Sequence, residues 1–256
     1  MVNMTRLLER AGNYYRTRSS FYRERDMRTF ETFLPCISFT FDDFPQTAAI
    51  NGGAILNHHG LRGSFYASMG MMGKDSPVGP LFTVNELEEL IRYNHEIGCH
   101  TYDHLDAWKA NPDAFRMSIE RNAADLRRFF PGMHFKTTSY VVNEPHPRIK
   151  RMAGKHFDCC RGGGQTLNER AFDRQHLKSC FVNYRNRDNI RALKELIDRN
   201  ARLQGWLIFS THDVTAHPSP FGCIPETFEC LVKYAIGSGA VVKPVHDVYT
   251  SFHVAP

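Results

Sequence analysis

Short apolar runs alternate with amphipathic segments along most of this chain, and this alternation constrains the possible folds more than any other feature. Seven runs are predicted strands: 36–41, 63–67, 96–99, 135–142, 157–161, 206–211 and 240–245. Six segments are predicted helices: 46–59, 83–95, 111–130, 147–156, 188–202 and 225–238. This alternation predicts an α/β fold with a parallel sheet that is either closed into a barrel or doubly wound, and we favour the barrel.

Two of the predicted helices carry capping signals at their first residues. Thr83 and Glu86 have the spacing of a capping box, in which each side chain accepts a hydrogen bond from the other residue's backbone amide. Asp188 is a candidate N-cap for the helix that ends near Arg202.

The length and composition of the chain fit one large domain. It has 256 residues, of which 42% are hydrophobic and 23% are charged. Residues 1–33 form a polar, arginine-rich lead-in, and its aromatic residues either line a sugar groove or, as is commoner at such spacing, dock a helix on the core: Tyr14, Tyr15, Phe21 and Tyr22. We therefore predict a lead-in over 1–33 that packs on a domain spanning 34–256.

Charge, apolar runs and cysteine usage narrow the partners and the compartment. The formal net charge is +5, but 32 basic and 27 acidic residues are interleaved, so no nucleic-acid partner is expected. No run of eighteen apolar residues suggests a membrane span, and no apolar signal stretch occurs in the lead-in. Seven cysteines, including the adjacent Cys159 and Cys160, favour reduced core thiols. Together these features predict a cytoplasmic location.

Two adjacent carboxylates follow the first predicted strand. Asp42 and Asp43 lie in the run Phe-Thr-Phe-Asp-Asp-Phe, and burying both as unpaired charges would be prohibitive. One interpretation is a helix N-cap, in which Asp43 or a neighbour accepts amide hydrogens from the following turn. The other is that a cation binds between them and further side chains.

Histidines at two other strand ends favour the interpretation that a cation binds here. The segment His100-Thr-Tyr-Asp-His104 follows the strand over 96–99 and can aim two imidazoles at one point, as Zn²⁺ requires. With Asp43 they make three metal ligands with room for water. His212 follows the strand over 206–211 and is either a structural histidine or a general acid facing the metal. In a parallel barrel the carboxyl ends of the strands lie on one face, so these groups are expected to meet.

Two other patterns are interpreted as structural. His58 and His59 end a predicted helix beside Gly60, where imidazolium charge is favourable at a helix C-terminus. The glycines over 162–164 lack the lysine and the serine or threonine of a phosphate loop and predict a turn.

These motifs resemble those of the polysaccharide deacetylases of carbohydrate esterase family 4, the NodB-homology group. The family's first motif is Thr-Phe-Asp-Asp-Gly and its second is His-Ser/Thr-x-x-His, which residues 40–44 and 100–104 resemble. Its last motif, Leu-x-x-His, is similar to Phe209-Ser-Thr-His212. The resemblance implies a distorted (β/α) barrel of about seven strands, with Asp42 as catalytic base, Asp43, His100 and His104 as metal ligands, and His212 as acid.

The sequence departs from the family pattern at two places. Phe44 and Pro45 follow the aspartates where the family has glycine, and a different or narrower groove is expected. The third motif, Arg-Pro-Pro-Tyr-Gly, has no counterpart, because the strand over 135–142 supplies Thr-Thr-Ser-Tyr-Val-Val instead. In the family that arginine orients the base, and backbone near the motif helps to bind the oxyanion. Arg161 is our candidate for the arginine, and amides near Tyr140 are our candidates for the oxyanion site.

The resulting prediction is a metal-dependent deacetylase that removes acetyl groups from N-acetylated or O-acetylated sugars or polysaccharides. The divalent metal is expected to be Zn²⁺, with Co²⁺, Mn²⁺ or Ni²⁺ as alternatives. Two other functions fit the same residues: a catalytically weak carbohydrate-binding protein, and a deacylase of a non-sugar amide. Retention of both Asp42 and His212 favours an enzyme, since a binding protein needs neither base nor acid.

Overall fold

The computed structural model describes residues 4–29, 34–183 and 190–251, and of residues 4–8 only the backbone. Within these residues ten strands alternate with eight α-helices. The strands are β1 Met27–Thr29, β2 Cys36–Phe41, β3 Ser64–Ala67, β4 Glu96–Cys99, β5 Thr137–Ser139, β6 Cys159–Arg161, β7 Ala171–Asp173, β8 Cys180–Phe181, β9 Trp206–Thr211 and β10 Val241–Val242. The helices are α1 Met4–Tyr22, α2 Ala54–His58, α3 Val84–Arg92, α4 Pro112–Phe129, α5 Pro147–His156, α6 Ile190–Leu203, α7 Pro225–Gly237 and α8 Val245–Ser251.

One curled parallel sheet forms the centre of the fold. Its strand order is β6-β5-β4-β3-β2-β9-β8, and β10 pairs with the first residues of β2. The long strands β2 and β9 pair in register over six residues, from Cys36 opposite Trp206 to Phe41 opposite Thr211. The predicted distorted (β/α) barrel of about seven strands is confirmed.

The chain between β7 and β8 reaches toward both edges of this sheet. At one edge, the Leu177 amide donates to the Cys160 carbonyl, and the Gly162 amide donates to the Leu177 carbonyl, both over 2.8 Å. At the other edge, β8 pairs with β9, and the Val182 amide donates to the Ser210 carbonyl over 2.8 Å. These contacts bring the two edges toward each other and give the sheet its half-barrel form.

The core lies between the sheet and its helices. All six residues of β2 and all six of β9 are buried, which explains why neither strand contains a charged residue. Phe41 stacks on Phe65 with ring centroids 4.4 Å apart, and Phe39 stacks on Phe209 at 5.6 Å. Burying each such ring stabilises the fold by about 1.5–3 kcal/mol.

Most predicted elements are present with small changes at their ends. Strands β2, β4 and β9 and helix α5 have the predicted bounds. Strand β5 is shorter than predicted because the chain turns away after Ser139, with Val142 and Asn143 at positive φ. The helix predicted over 46–59 begins with a π-helical stretch, Ala48–Gly53, before α2.

The capping box at Thr83 is present: the Thr83 hydroxyl accepts from the Asn85 amide, and the Glu86 carboxylate accepts from the Thr83 amide at 2.7 Å. The candidate cap Asp188 lies outside the described residues. The sequence analysis did not predict α1, α8 or the short strands β1, β7 and β8, whose partners are distant in sequence. All seven cysteines are free, and six of them are buried. Among the helices of the described residues, none is long and apolar enough to span a membrane.

Candidate active site

The ends of strands β4, β2 and β9 bring the predicted site residues to one cavity. Asp42 and Asp43 follow β2, His100 follows β4, and His212 follows β9. These residues and His104 line a cavity of about 640 Å³ at the carboxyl ends of the strands. The predicted meeting of these groups on one face of the sheet is therefore present in the structure.

Asp43, His100 and His104 form the one group of potential metal ligands found in the described part of the chain. Their ligand atoms all lie within 4.8 Å of one another. Asp43 Oδ1 is 2.8 Å from His104 Nε2 and 3.4 Å from His100 Nε2. The carboxylate holds the pKa of His104 above its usual value despite burial, and the three histidines hold the pKa of Asp43 well below its usual range.

The chemistry of these atoms fits a bound cation. His100 Nδ1 lies 2.9 Å from the Ser139 carbonyl oxygen, which can only accept, so Nδ1 carries the proton. Burial lowers the pKa of His100 to about 4, so its ring is neutral and Nε2 presents a lone pair to the Asp43 carboxylate. Two acceptors that face each other need a positive charge between them, and a divalent metal supplies one.

Backbone strain is concentrated around this cavity. Asp43, Thr101, His104, Val142 and Asn143 all have positive φ, between 52° and 65°. Such conformations are costly for residues other than glycine, above all for the β-branched valine, and they persist only where surrounding contacts impose them. The strain indicates that the positions of these side chains are fixed by the fold.

Asp42 is buried and held by two partners. Arg161 Nη2 donates to both carboxylate oxygens, at 2.6 and 2.5 Å, and the Ser139 hydroxyl donates to Oδ1 at 3.0 Å. Burial opposes ionisation, but the Arg161 guanidinium and nearby histidines outweigh it and keep the pKa of Asp42 below its usual value. Asp42 is therefore an oriented, ionised carboxylate beside the potential metal ligands.

Arg161 comes from the end of β6, whereas the family pattern has its arginine in the preceding motif. Its side chain is fully buried, Nη1 donates to the Ser179 hydroxyl at 2.9 Å, and the guanidinium lies over the Tyr66 ring at 5.4 Å. The sequence analysis selected Arg161 from its position at a strand end. It missed Ser139, which contacts both Asp42 and His100 and which lies inside the strand predicted over 135–142 but at the end of β5 in the structure.

His212 faces the cavity from the opposite side. Its Nε2 lies 3.9 Å from Asp43 Oδ2, and its ring packs against Phe221 with centroids 5.6 Å apart. Among the described residues, its buried Nδ1 has no hydrogen-bond partner. The other ring nitrogen, Nε2, is the one nearest the Asp43 carboxylate, and it is positioned to exchange a proton with a molecule bound in the cavity.

Tyr140 and Phe44 have different surroundings from those expected. The Tyr140 amide donates to the Arg161 carbonyl at 2.9 Å, and the Tyr140 hydroxyl donates to the Gln175 carbonyl at 3.0 Å, so neither group is free to meet a substrate. The backbone amides near Tyr140 that could bind an oxyanion are therefore those of the residues after Tyr140 in the chain. Phe44 does not narrow the groove: its ring is fully buried and stacks on Phe82 at 4.1 Å.

The patterns interpreted as structural do not line the cavity, although the glycine turn contacts the cavity residue Asn143 from behind. His59 lies 3.5 Å from Glu229, on the surface between two helices. The glycine run forms a turn in which Gly164 has φ +131° and the Gly163 amide donates to the Asn143 carbonyl at 3.0 Å.

The rest of the cavity wall is largely apolar. Besides the groups already described, the lining includes two asparagines and six apolar side chains: Pro77, Val78, Val141, Val142, Phe181 and Phe221. Val142 and Phe221 are about half exposed at its rim. These wall residues follow no motif in the sequence, because loops far apart in the chain supply them.

The sequence and the fold were compared with known proteins. The family model described as polysaccharide deacetylase matches residues 32–155. No curated protein matches the sequence. Among solved structures, the chitin deacetylase of the fungal pathogen Colletotrichum lindemuthianum is 15% identical, with a TM-score of 0.58 over 85% of this chain and 89% of that chain.

Two further solved structures share the fold. The family 4 acetyl xylan esterase from Clostridium thermocellum, in complex with a cobalt ion, is 19% identical, with a TM-score of 0.56 over 84% of this chain and 91% of that chain. BA3943 from Bacillus anthracis, a CE4 family pseudoenzyme, is 11% identical, with a TM-score of 0.53 over 86% of this chain and 66% of that chain.

At these identities the likeness to solved structures shows the fold, and the family model connects that fold with the polysaccharide deacetylases. Enzymes of this family are metal-dependent hydrolases of amide or ester bonds. Residues 32–155 therefore match the polysaccharide deacetylase family, and the fold of the chain is that of the NodB-homology domains of carbohydrate esterase family 4, which supports a deacetylase-like hydrolase.

Proposed function

We propose that this protein is a metal-dependent deacetylase of acetylated saccharides, with Asp42 as base, His212 as acid, and Asp43, His100 and His104 as metal ligands. The observation that carries the proposal is the pairing of Asp42 with Arg161, directly beside the three potential ligands. A carbohydrate-binding protein would need the ligands, but it would have no use for a buried, oriented carboxylate next to them.

The metal is proposed to be Zn²⁺, because two imidazoles and one carboxylate are ligands that it favours; Co²⁺, Mn²⁺ and Ni²⁺ accept the same set. When bound, such an ion increases the acidity of water and polarises an acyl oxygen. The neutral His100 ring and the ionised Asp43 supply lone pairs for it without first losing a proton.

Asp42 takes the proton of the attacking water in this mechanism. Arg161 and Ser139 keep its carboxylate ionised and fixed, so that little reorganisation is needed when the proton arrives. A base with a lowered pKa is a weak proton acceptor, which suits water whose acidity has already been increased. The water oxygen forms the new bond to the acyl carbon.

His212 then gives a proton to the leaving nitrogen or oxygen as the bond to the acyl carbon breaks. His212 Nε2 lies 3.9 Å from Asp43 Oδ2 and lines the same cavity as Asp42, within which the leaving group would be bound. The products are acetate and a free amine or alcohol on the sugar. The amides that follow Tyr140 are our candidates for hydrogen bonds to the tetrahedral oxyanion.

The deciding experiment measures acetate release from N-acetylated chito-oligosaccharides by protein reconstituted with Zn²⁺. We expect release by the wild type, a loss of about 10²–10⁴-fold in kcat in Asp42→Asn, and retained metal in that variant. His104→Ala should lose both metal, measured by elemental analysis, and activity. Wild-type protein that binds Zn²⁺ stoichiometrically but releases no acetate from N- or O-acetylated saccharides would contradict the proposal.

A second candidate, deacylation of a non-sugar amide, is favoured by the apolar cavity wall. A sugar buried against Val78, Val141 and Phe181 would leave hydroxyls without partners, at about 1–3 kcal/mol each. Turnover of N-acyl anilides should rise from acetyl to butyryl if this candidate is right. A preference for acetylated chito-oligosaccharides over acetanilides would exclude it.

We propose an intracellular location because of the state of the cysteines. All seven are free, and burial raises the pKa of Cys160 to about 12, which keeps this thiol protonated. Free thiols in this number are typical of a reducing compartment. Cell fractionation of the tagged full chain tests the proposal, and recovery outside the cell would contradict it.

A further inference from the structure

The N-terminal helix α1 lies ahead of the residues that match the family model, yet it reaches the wall of the active-site cavity. The family match begins at residue 32, and α1 ends at Tyr22. The wall in question is the turn that follows Tyr140, where Val142 and Asn143 line the cavity. The third motif of the family is missing at this turn.

The turn has a conformation that its own sequence does not favour. Val142 and Asn143 have φ of 65° and 64°, and a β-branched residue rarely adopts such a value. Two tight hydrogen bonds close the turn, from the Asn143 amide to the Tyr140 carbonyl and from the Glu144 amide to the Val142 carbonyl. Strained residues of this kind stay in place only when contacts from outside hold them.

Two side chains of α1 make contacts of this kind, in addition to the hydrogen bond from the Gly163 amide to the Asn143 carbonyl. Arg16 Nε lies 3.1 Å from Glu144 Oε2, and Arg16 Nη2 donates to the Val142 carbonyl over 3.3 Å. The Thr17 hydroxyl donates to Glu144 Oε1 over 2.7 Å. The helix thus binds both oxygens of Glu144 and the backbone of the strained valine.

The same helix also contacts the loop that follows His104. Arg16 lies over the ring of Trp108, 5.6 Å from its centroid, and the Tyr15 ring meets Trp108 edge-on at 6.2 Å. The neighbouring residue Ala107 donates to the Val141 carbonyl and joins this loop to the turn. One turn of α1 therefore touches the two loops that form one side of the cavity.

The end of α1 is anchored firmly enough to act as a support. Lys150, which is fully buried, donates through Nζ to the carbonyls of Ser20 and Arg23, each at 3.0 Å. Phe21 stacks on the buried His176 ring, with centroids 4.3 Å apart. The helix is thus fixed to the domain beside the cavity, and its middle turn reaches the cavity wall.

We infer that α1 is a working part of the active site, in which Arg16 and Thr17 act through Glu144 as positioning residues for the wall formed by Val142 and Asn143. The inference rests on the proposed function for its kinetic consequence. Val142 and Asn143 line the cavity, and the amides that follow Tyr140 are the proposed oxyanion donors, so loosening this wall lowers kcat/KM while the contacts of Asp42 with Arg161 and Ser139 are kept.

The kinetic test compares Arg16→Ala and Glu144→Gln with Arg18→Ala. Arg18 is a matched control, because it is on the same helix but is exposed and stacks only on the α1 aromatics Tyr14 and Tyr22 in the described contacts. For N-acetylated chito-oligosaccharide we expect kcat/KM to fall about five-fold in Arg16→Ala and Glu144→Gln and to stay within about two-fold of the wild type in Arg18→Ala. The double variant should be no worse than Arg16→Ala, and Arg16→Lys should recover part of the loss.

A second measurement separates this inference from the proposed function. Hydrogen–deuterium exchange of the metal-loaded protein follows the amides of residues 141–144, which need no substrate to report. Arg16→Ala should speed exchange in this segment and leave β2 and β9 unchanged, whereas Arg18→Ala should match the wild type. Unchanged exchange at 141–144, or equal acceleration throughout the domain, would overturn the inference. Absence of turnover in the wild type would instead count against the proposed function, and the exchange result would still decide the role of α1.

Discussion

At the scale of single residues, the site depends on a charge pair that joins two distant strand ends. Asp42 and Arg161 are 119 residues apart in sequence, and both are buried. Removing one partner of such a pair leaves an uncompensated charge, which commonly costs about 3–5 kcal/mol of stability. Arg161 therefore serves the fold and the proposed chemistry together, and a test of its role must separate the two.

Substitution of Arg161 is expected to reduce turnover beyond any effect on folding. Arg161→Lys keeps the charge but cannot donate to both oxygens of Asp42 with one planar group, so we expect at least a ten-fold lower kcat with most of the stability retained. Arg161→Ala should lower both kcat and the free energy of unfolding. Denaturant unfolding and acetate release, measured on the same samples, check this. Unchanged turnover in Arg161→Ala, with none in Asp42→Asn, would show that Arg161 does not orient the base.

Part of this residue-scale site could be predicted from the sequence, and part could not. Asp42, Asp43, His100 and His212 directly follow strands, His104 lies four residues beyond His100, and parallel strands end on one face. Ser139 has the same kind of position, but a single serine has no pattern that distinguishes it from other polar residues. Its contacts with Asp42 and His100 arise only when β5 is placed in the sheet.

At the scale of elements, the segments after β2 and β9 have opposite relations to the cavity. Phe44 follows β2 and is buried against Phe65 and Phe82, whereas Phe221 lies beyond β9 and is half exposed at the cavity rim. The departure from glycine at residue 44 is thus a change in core packing. The family motif alone could not reveal this, because it does not state which way the new side chain points.

Paired substitutions of these phenylalanines should separate stability from substrate binding. Phe44→Ala removes a fully buried ring and should lower the free energy of unfolding by about 3–5 kcal/mol, with little change in KM at a temperature where the variant is folded. Phe221→Ala should leave stability within about 0.5 kcal/mol and raise KM. Thermal unfolding and steady-state kinetics provide the check. A large change in KM for Phe44→Ala would contradict this prediction and would mean that Phe44 shapes the substrate groove.

The elements that were predicted well are those whose signals are local. Strands β2 and β9 are buried on both faces and are mainly apolar runs without a charged residue, and α5 begins at the proline that marks its first turn. Strand β8 has two residues and β7 has three, and β7 pairs with β1 across more than a hundred residues. Such short strands form only because they pair with other strands, so no local sequence pattern predicts them.

At the scale of the whole molecule, the fold encloses neutral histidines that connect its stability with pH. His95 is buried, and its Nδ1 accepts from the Gly63 amide while its other ring nitrogen is 2.9 Å from Asn57 Oδ1. Burial, helped by the charge of Arg62, lowers the pKa of His95 to about 4. In the unfolded chain the same group has a pKa of about 6.5. The unfolded state therefore binds the proton more tightly than the folded state does.

Because the unfolded state binds the proton of His95 more tightly, acidification lowers the stability of the fold. The contribution of His95 to stability is complete above about pH 6.5, decreases as the pH falls toward 4, and changes little below that, for a total of about 3 kcal/mol. His95→Gln keeps one acceptor for Gly63 and one donor for Asn57 but cannot be protonated. Between pH 7 and 4.5 we expect this variant to lose about 2 kcal/mol less stability than the wild type, in urea unfolding with chelator present so that metal release does not contribute. Equal losses in the two proteins would mean that His95 is charged, or accessible to water, in the folded state.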